Sequence, residues 1–158
     1  MKNFTTASAE ETILLGRKIA AEYSKTPLFL ISGDFGVGKT TFIKGLASGL
    51  LLSEETSIQE DEAQLLAEEI KSPSFTLVNE YPRGEKKVYH ADFYRLNSED
   101  DLDFIDFDEV LSNEKNRVII EWFDKISLLD SLQKSFPHII LEVRFLSDSE
   151  RTITVMNV

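Results

Sequence analysis

Leu28-Phe29-Leu30-Ile31-Ser32-Gly33-Asp34-Phe35-Gly36-Val37-Gly38-Lys39-Thr40-Thr41-Phe42-Ile43 is the stretch that decides the fold. Its first four residues are a continuous apolar run, the pattern of a strand covered on both faces in a parallel sheet. Its end opens a helix, because Phe42, Ile43, Leu46, Ala47 and Leu50 repeat at helical spacing. Between the two, Gly33 to Thr40 fits the pattern G-x-x-x-x-G-K-[ST], the P-loop. Glycines there let successive backbone N–H groups converge on phosphate oxygens, and the following helix turns its positive end to the same point. In this reading Lys39 reaches the β- and γ-phosphates of a nucleotide, and the Thr40 hydroxyl serves magnesium. The competing reading is a chance match in a surface turn; the strand before and the helix after count against it. Strand, glycine loop and helix make half of a βαβ unit, so a layered α/β fold is expected.

Upstream, Ser8-Ala9-Glu10-Glu11 fits a capping box, and Leu15, Ile19 and Tyr23 recur on one helical face until Lys25-Thr26-Pro27 stops the helix. Downstream, residues 53–69 hold seven acids and no Lys or Arg, which reads as an acidic surface insertion or mobile loop over 52–70. Ala63, Leu65, Leu66 and Ile70 could form a short amphipathic helix within it. Thr76–Tyr81 and Lys87–Phe93 read as a hairpin about Pro82-Arg83-Gly84-Glu85. Ser98 is the expected cap of a short acidic helix near Glu99. Val118-Ile119-Ile120 is a second buried strand, and Ile139–Phe145 and Thr152–Val155 are antiparallel strands around Ser147-Asp148-Ser149.

A length of 158 residues implies a single domain spanning 1–158, with both parallel and antiparallel pairs in its sheet. The net charge of −11 opposes unaided binding of nucleic acid, which needs many Lys and Arg contacts to phosphate. Zero cysteine excludes a disulfide framework, a zinc-thiolate site and a thiol nucleophile. The start, Met1 to Thr6, has no apolar signal segment, and the run at Leu28–Ile31 is too short for a bilayer. A soluble cytoplasmic protein is expected.

A P-loop needs a second carboxylate on the magnesium side, normally at the end of a neighbouring apolar strand. Glu121 fits that place, and Asp92, in His90-Ala91-Asp92-Phe93-Tyr94-Arg95, is its rival. His90 reads as a strand histidine with a satisfied hydrogen bond, and Trp122 as either core or site wall. A small-molecule or nucleotide kinase would need a basic lid, whereas the six arginines are scattered. A GTPase would need an Asn-Lys-x-Asp motif, which is absent. A module with a purely structural nucleotide would release no phosphate.

Four motifs in order, Gly33 to Thr41, Ser72 to Leu77, His90 to Leu96 and Ile120-Glu121-Trp122, make the chain resemble the TsaE (YjeE) family. These are the P-loop ATPases of bacterial threonylcarbamoyladenosine synthesis at position 37 of tRNA. The resemblance covers most of the chain outside 52–70, where the family usually has a shorter link. It also expects a glycine where Asp103 to Phe107 stand. The fold it implies is a three-layer P-loop NTPase-like sandwich. It further implies an ATP-hydrolysing subunit that switches a transferase subunit and its paralogue, TsaD and TsaB, and meets tRNA only through them. By resemblance Gly33, Asp34, Phe35, Gly36, Val37, Gly38, Lys39, Thr40 and Thr41 hold ATP, with Thr40 and Glu121 on Mg2+. Ser74 and Thr76 lie in a switch-like segment, Asp92 is catalytic or orients water, Trp122 lines the site, and Arg151 is a further nucleotide contact.

Overall fold

Leu28, Phe29, Leu30 and Ile31 expose no surface, because the strand they form is the middle of a sheet. The computed structural model describes residues 1–53, 55, 59–73, 75–96, 98, 105–125 and 128–157. In chain order come β1 (Lys2–Thr6), α1 (Ala9–Glu22), β2 (Leu28–Ser32), α2 (Lys39–Leu52), α3 (Glu60–Glu69), β3 (Val78–Arg83) and β4 (Lys86–Asp92). There follow α4 (Phe107–Ser112), β5 (Asn116–Glu121), α5 (Leu128–Ser135), β6 (His138–Phe145) and β7 (Arg151–Asn157). The seven strands lie in the order β1-β7-β6-β2-β5-β4-β3. The inner four are parallel, and the pairs β3–β4, β6–β7 and β1–β7 are antiparallel. α1 and α2 cover one face over Phe29, Ile31, Ile119 and Val143. Phe107 and Leu111 of α4 and Leu132 of α5 cover the other, over Leu28, Leu30, Val118 and Ile120. This is the expected three-layer α/β sandwich.

The cap at Ser8 forms as read: its Oγ accepts from the Glu11 N–H at 3.1 Å, while Glu11 Oε2 accepts from the Ala7 N–H at 2.7 Å. α1 and α2 then cross backbone to backbone. A Cβ built on Gly45 would stand 1.9 Å from Ile13 O, and one on Gly16 2.5 Å from Phe42 O. That crossing fixes the axis of α2, and with it the position of Lys39 at its first turn.

Three expectations shift. The hairpin turn is the two residues Gly84-Glu85, with Gly84 at φ 60°, while Pro82 and Arg83 stay in β3 opposite Lys87 and Lys86. Proline is tolerated because β3 is an edge strand. Within 53–69, α3 packs on α2 through Ala63 and Ala67, and Ile70 just beyond it is 1% exposed. Leu65 is 63% exposed, so small residues, not the leucines, make the inner stripe. The helix expected near Glu99 lies outside the described residues; the following helix, α4, is capped by Asp106, whose Oδ1 accepts from the Glu109 N–H at 3.0 Å. β1 leaves no signature in the sequence, because of its residues only Thr6 is buried and no alternation marks it. Among the described residues no helix is long and apolar enough to cross a membrane.

Candidate active site

The C-terminal ends of β2, β4 and β5 open on one cavity of about 390 Å³. β2 is where later strands depart to both sides, β5 to one and β6 to the other, the place where open α/β sheets bind ligands. The loop leaving β2 carries Gly33 at φ 139° and Gly38 at φ 100°, angles that L side chains disfavour. A Cβ on Gly33 would also lie 2.3 Å from Val143 O. Gly36, Gly38, Lys39 and Thr40 line the cavity, and α2 begins at Lys39, so its first unpaired N–H groups open on the same space.

Lys39 is buried, and its Nζ donates to Gly33 O at 2.9 Å and Asp34 O at 2.8 Å. The ammonium also stands 4.2 Å from the centre of the Trp122 ring. Burial pushes the Lys39 pKa below its ordinary value, against the pull of Glu121, Asp92 and Asp34. Glu121 ends β5 with its side chain 3% exposed, in register with Ile31 of β2 and Asp92 of β4. Its Oε1 lies 2.8 Å from His90 Nε2. Asp92 Oδ1 accepts from the Tyr94 N–H at 2.9 Å, and Oδ2 accepts from Ser72 Oγ at 3.5 Å. Two carboxylates and the Lys39 and Arg95 cations thus line one concave space, where charges act more strongly than in bulk water.

The wall is aromatic. Trp122 sits at φ 59°, a left-handed conformation that costs a bulky residue roughly 1–3 kcal/mol and collects at functional sites. Its backbone N–H donates to Ile31 O at 3.2 Å, which ties it to the loop strand. The Tyr94 ring lies 5.1 Å from Trp122 and 5.6 Å from Phe35, so three aromatic rings from three loops line one side.

Of the residues expected at the site, the cavity brings together Phe35, Gly36, Gly38, Lys39, Thr40, Asp92, Glu121 and Trp122. Gly33 and Asp34 give their carbonyls to Lys39. Val37 is buried, and its carbonyl accepts from Arg151 Nε at 2.6 Å. Arg151 Nη1 donates to Ser147 O and Glu150 O, both at 2.8 Å, so this side chain braces the loop against the β6–β7 turn. With Thr41, Ser8 and Gly38 it lines a second cavity of about 310 Å³ behind the loop. Thr76 does not line the main cavity; its hydroxyl donates to Asn79 Oδ1 at 2.7 Å. Ser74 lies outside the described residues. Ser72, Tyr94 and the His90–Glu121 contact were missed as site features. The His90–Glu121 contact exists only through the register of β4 and β5, while Ser72 and Tyr94 reach the cavity from the segments before β3 and after β4.

Thr40 and Glu121 offer a hydroxyl and a carboxylate to the same cavity, hard oxygen donors that suit magnesium. Among the described residues no group of three or more His, Cys, Asp or Glu could hold a metal. Magnesium fits such a sparse set, because it usually takes one or two protein oxygens plus substrate phosphates and waters.

The sequence model of the family described as "Threonylcarbamoyl adenosine biosynthesis protein TsaE" matches residues 6–153. A protein of Aquifex aeolicus named tRNA threonylcarbamoyladenosine biosynthesis protein TsaE is 28% identical over 98% of this chain and 96% of its own. Proteins of the same name from Rickettsia bellii and Bacillus subtilis are 31% and 30% identical, over 95% and 94% of this chain and 91% and 81% of theirs. The crystal structure of Bacillus subtilis YdiB superposes with a TM-score of 0.64 at 26% identity, covering 99% of this chain and 85% of that one. With the P-loop, the strand-end acids and the aromatic wall all in place, the match over nearly the whole length has one meaning: the chain belongs to the TsaE family.

Proposed function

We propose that this chain binds ATP with magnesium and hydrolyses it slowly, as the nucleotide-gated subunit of tRNA threonylcarbamoyladenosine synthesis in the cytoplasm. The observation that carries the reading is the convergence of Lys39, Thr40, Asp92 and Glu121 on one cavity at the switch point of the sheet. The terminal phosphate belongs on the side of the two acids. The nucleoside then leaves past Gly38 toward the second cavity, where Ser8, Thr41 and Arg151 stand. Lys39 would exchange its two loop carbonyls for phosphate oxygens, a stronger charge-assisted pairing. Thr40 and Glu121 would hold magnesium, which when bound neutralises charge on the phosphate oxygens. Asp92, oriented by the Tyr94 N–H, is placed to align an attacking water.

Slow turnover follows from what lies over the phosphates. Arg95 reaches the cavity wall, but its guanidinium rests 5.0 Å from the Phe75 ring centre. An arginine delivered to the transferring phosphate is worth about 10³–10⁵ in rate, so docking on TsaD and TsaB is the expected trigger. The net charge of −11 leaves tRNA contact to those partners. Calorimetry with ADP and magnesium tests the binding step: Lys39→Ala should weaken affinity about tenfold or more. Equal affinity in that variant would overturn the nucleotide reading. Fast phosphate release by the lone chain, indifferent to TsaD and TsaB, would overturn the switch.

A further inference from the structure

We infer that His90 is the positioning residue of Glu121: its Nε2–H grips carboxylate oxygen Oε1, which aims the remaining oxygen into the cavity and sets the affinity for magnesium. The inference rests on the metal-assisted reading above and adds a residue to it. His90 is fully buried in the middle of β4, and Glu121 is 3% exposed. In the parallel ladder His90 pairs with Ile119 and Asp92 with Glu121, so the imidazole sits one diagonal step from the carboxylate on the same face of the sheet. The contact of 2.8 Å joins Nε2 to Oε1, and among the described residues no hydrogen bond takes Oε2.

The chemistry assigns the proton. A carboxylate only accepts, so the imidazole nitrogen facing it carries the hydrogen. The other ring nitrogen, Nδ1, is buried with no partner among the described residues. A leucine or phenylalanine would fill this core position without that desolvation cost. Something must therefore offset the histidine, and among the described residues the one polar contact of its side chain is the grip on Glu121. A glutamate at a cavity mouth has three rotatable bonds; fixing one oxygen removes the freedom that a metal ligand would otherwise lose on binding. Partners that orient a ligating side chain in this way typically govern 10–100-fold of metal affinity.

The test uses the full chain and ADP, titrated by calorimetry with magnesium and again with excess chelator. In His90→Leu the gain in ADP affinity from magnesium should shrink by about 10–100-fold, while affinity in chelator stays that of the wild type. His90→Gln places an amide N–H at the reach of Nε2 and should restore most of the gain. Nitrogen-15 spectra of the metal-free wild type should show the Nε2–H tautomer, a readout that survives even where His90→Leu unfolds. An unchanged magnesium gain in His90→Leu would overturn the inference, as would equal losses with and without magnesium, failure of His90→Gln to differ from His90→Leu, or an Nδ1–H tautomer. Failure of the nucleotide reading looks different: wild type and Lys39→Ala would then share one weak affinity for ADP, and the role of His90 would fall with it.

Discussion

Residues 53–69 and the paired ends of β4 and β5 are both acidic, yet their carboxylates live in opposite surroundings. The first region holds seven acids, and those among the described residues face outward: the Glu60 side chain is 74% exposed and pairs with Arg17, while Glu55 and Glu62 close on Arg83. The second holds two acids, Asp92 and Glu121, side by side in the ladder and turned toward Lys39. Charges at an open surface are screened by salt and are nearly interchangeable. Charges in a concave space beside a buried cation are not, because each one changes the field that a phosphate would meet. The net charge of −11 is therefore a property of the surface, and the chemistry depends on two carboxylates among 28 acids.

The sharpest break between the regions should appear in hydrolysis. With partner subunits present, Asp92→Ala should lower steady-state phosphate release by roughly 10²-fold or more, the scale of a group that handles the attacking water. Replacing Glu60, Asp61, Glu68 and Glu69 together by their amides should leave the rate unchanged. A comparable loss from the surface set would erase the distinction drawn here.

Much of this contrast was legible in the chain itself, for a physical reason. A phosphate cradle needs glycines, a lysine and a hydroxyl at fixed spacing, so Lys39 and Thr40 announce themselves, while the need for an acid at the end of an apolar strand leaves Glu121 and Asp92 as rivals. The layered sheet followed from the apolar run at Leu28–Ile31 and the helix behind it. What stayed hidden depends on partners distant in sequence. The pairing of His90 with Glu121 spans 31 positions and exists only once β4 and β5 are in register. Gly45 looks like a poor helix residue until Ile13 O lies where its side chain would be. The acidic stretch hides its structure in part: composition shows its charges, but the buried side of α3 is Ala63, which the amphipathic pattern includes, and Ala67, which it does not.

That buried side sets the second test. Ala67 is 1% exposed, so Ala67→Asp would bury a carboxylate with no partner and should destabilise the fold by on the order of 3 kcal/mol. Glu68→Gln, one residue along on the exposed face, should have no measurable effect in urea unfolding. Equal stabilities would mean that α3 is a detachable insertion after all, and that the whole of 53–69 could be replaced without cost.

The smallest effect belongs to the clasp that holds the acidic stretch to β3. Arg83 Nε donates to Glu55 Oε1 at 2.5 Å, and Nη2 donates to Glu55 Oε2 at 2.9 Å and Glu62 Oε1 at 2.5 Å. The geometry is bidentate, but all three side chains keep contact with solvent, so Arg83→Gln should cost about 1 kcal/mol or less and lose even that at high salt. The pH dependence has a definite sign. Hydrogen bonding to Arg83 holds the Glu55 carboxyl below its ordinary value of 4.5. As pH falls, the unfolded chain takes up this proton before the folded one does. The contribution is therefore complete above about pH 4.5 and fades as pH drops through the lower folded value. Urea midpoints of wild type and Arg83→Gln should differ slightly near neutrality and converge in acid. A gap that widened in acid, or that ignored salt, would place these carboxylates in a desolvated setting, and the acidic stretch would then behave as the strand-end pair does.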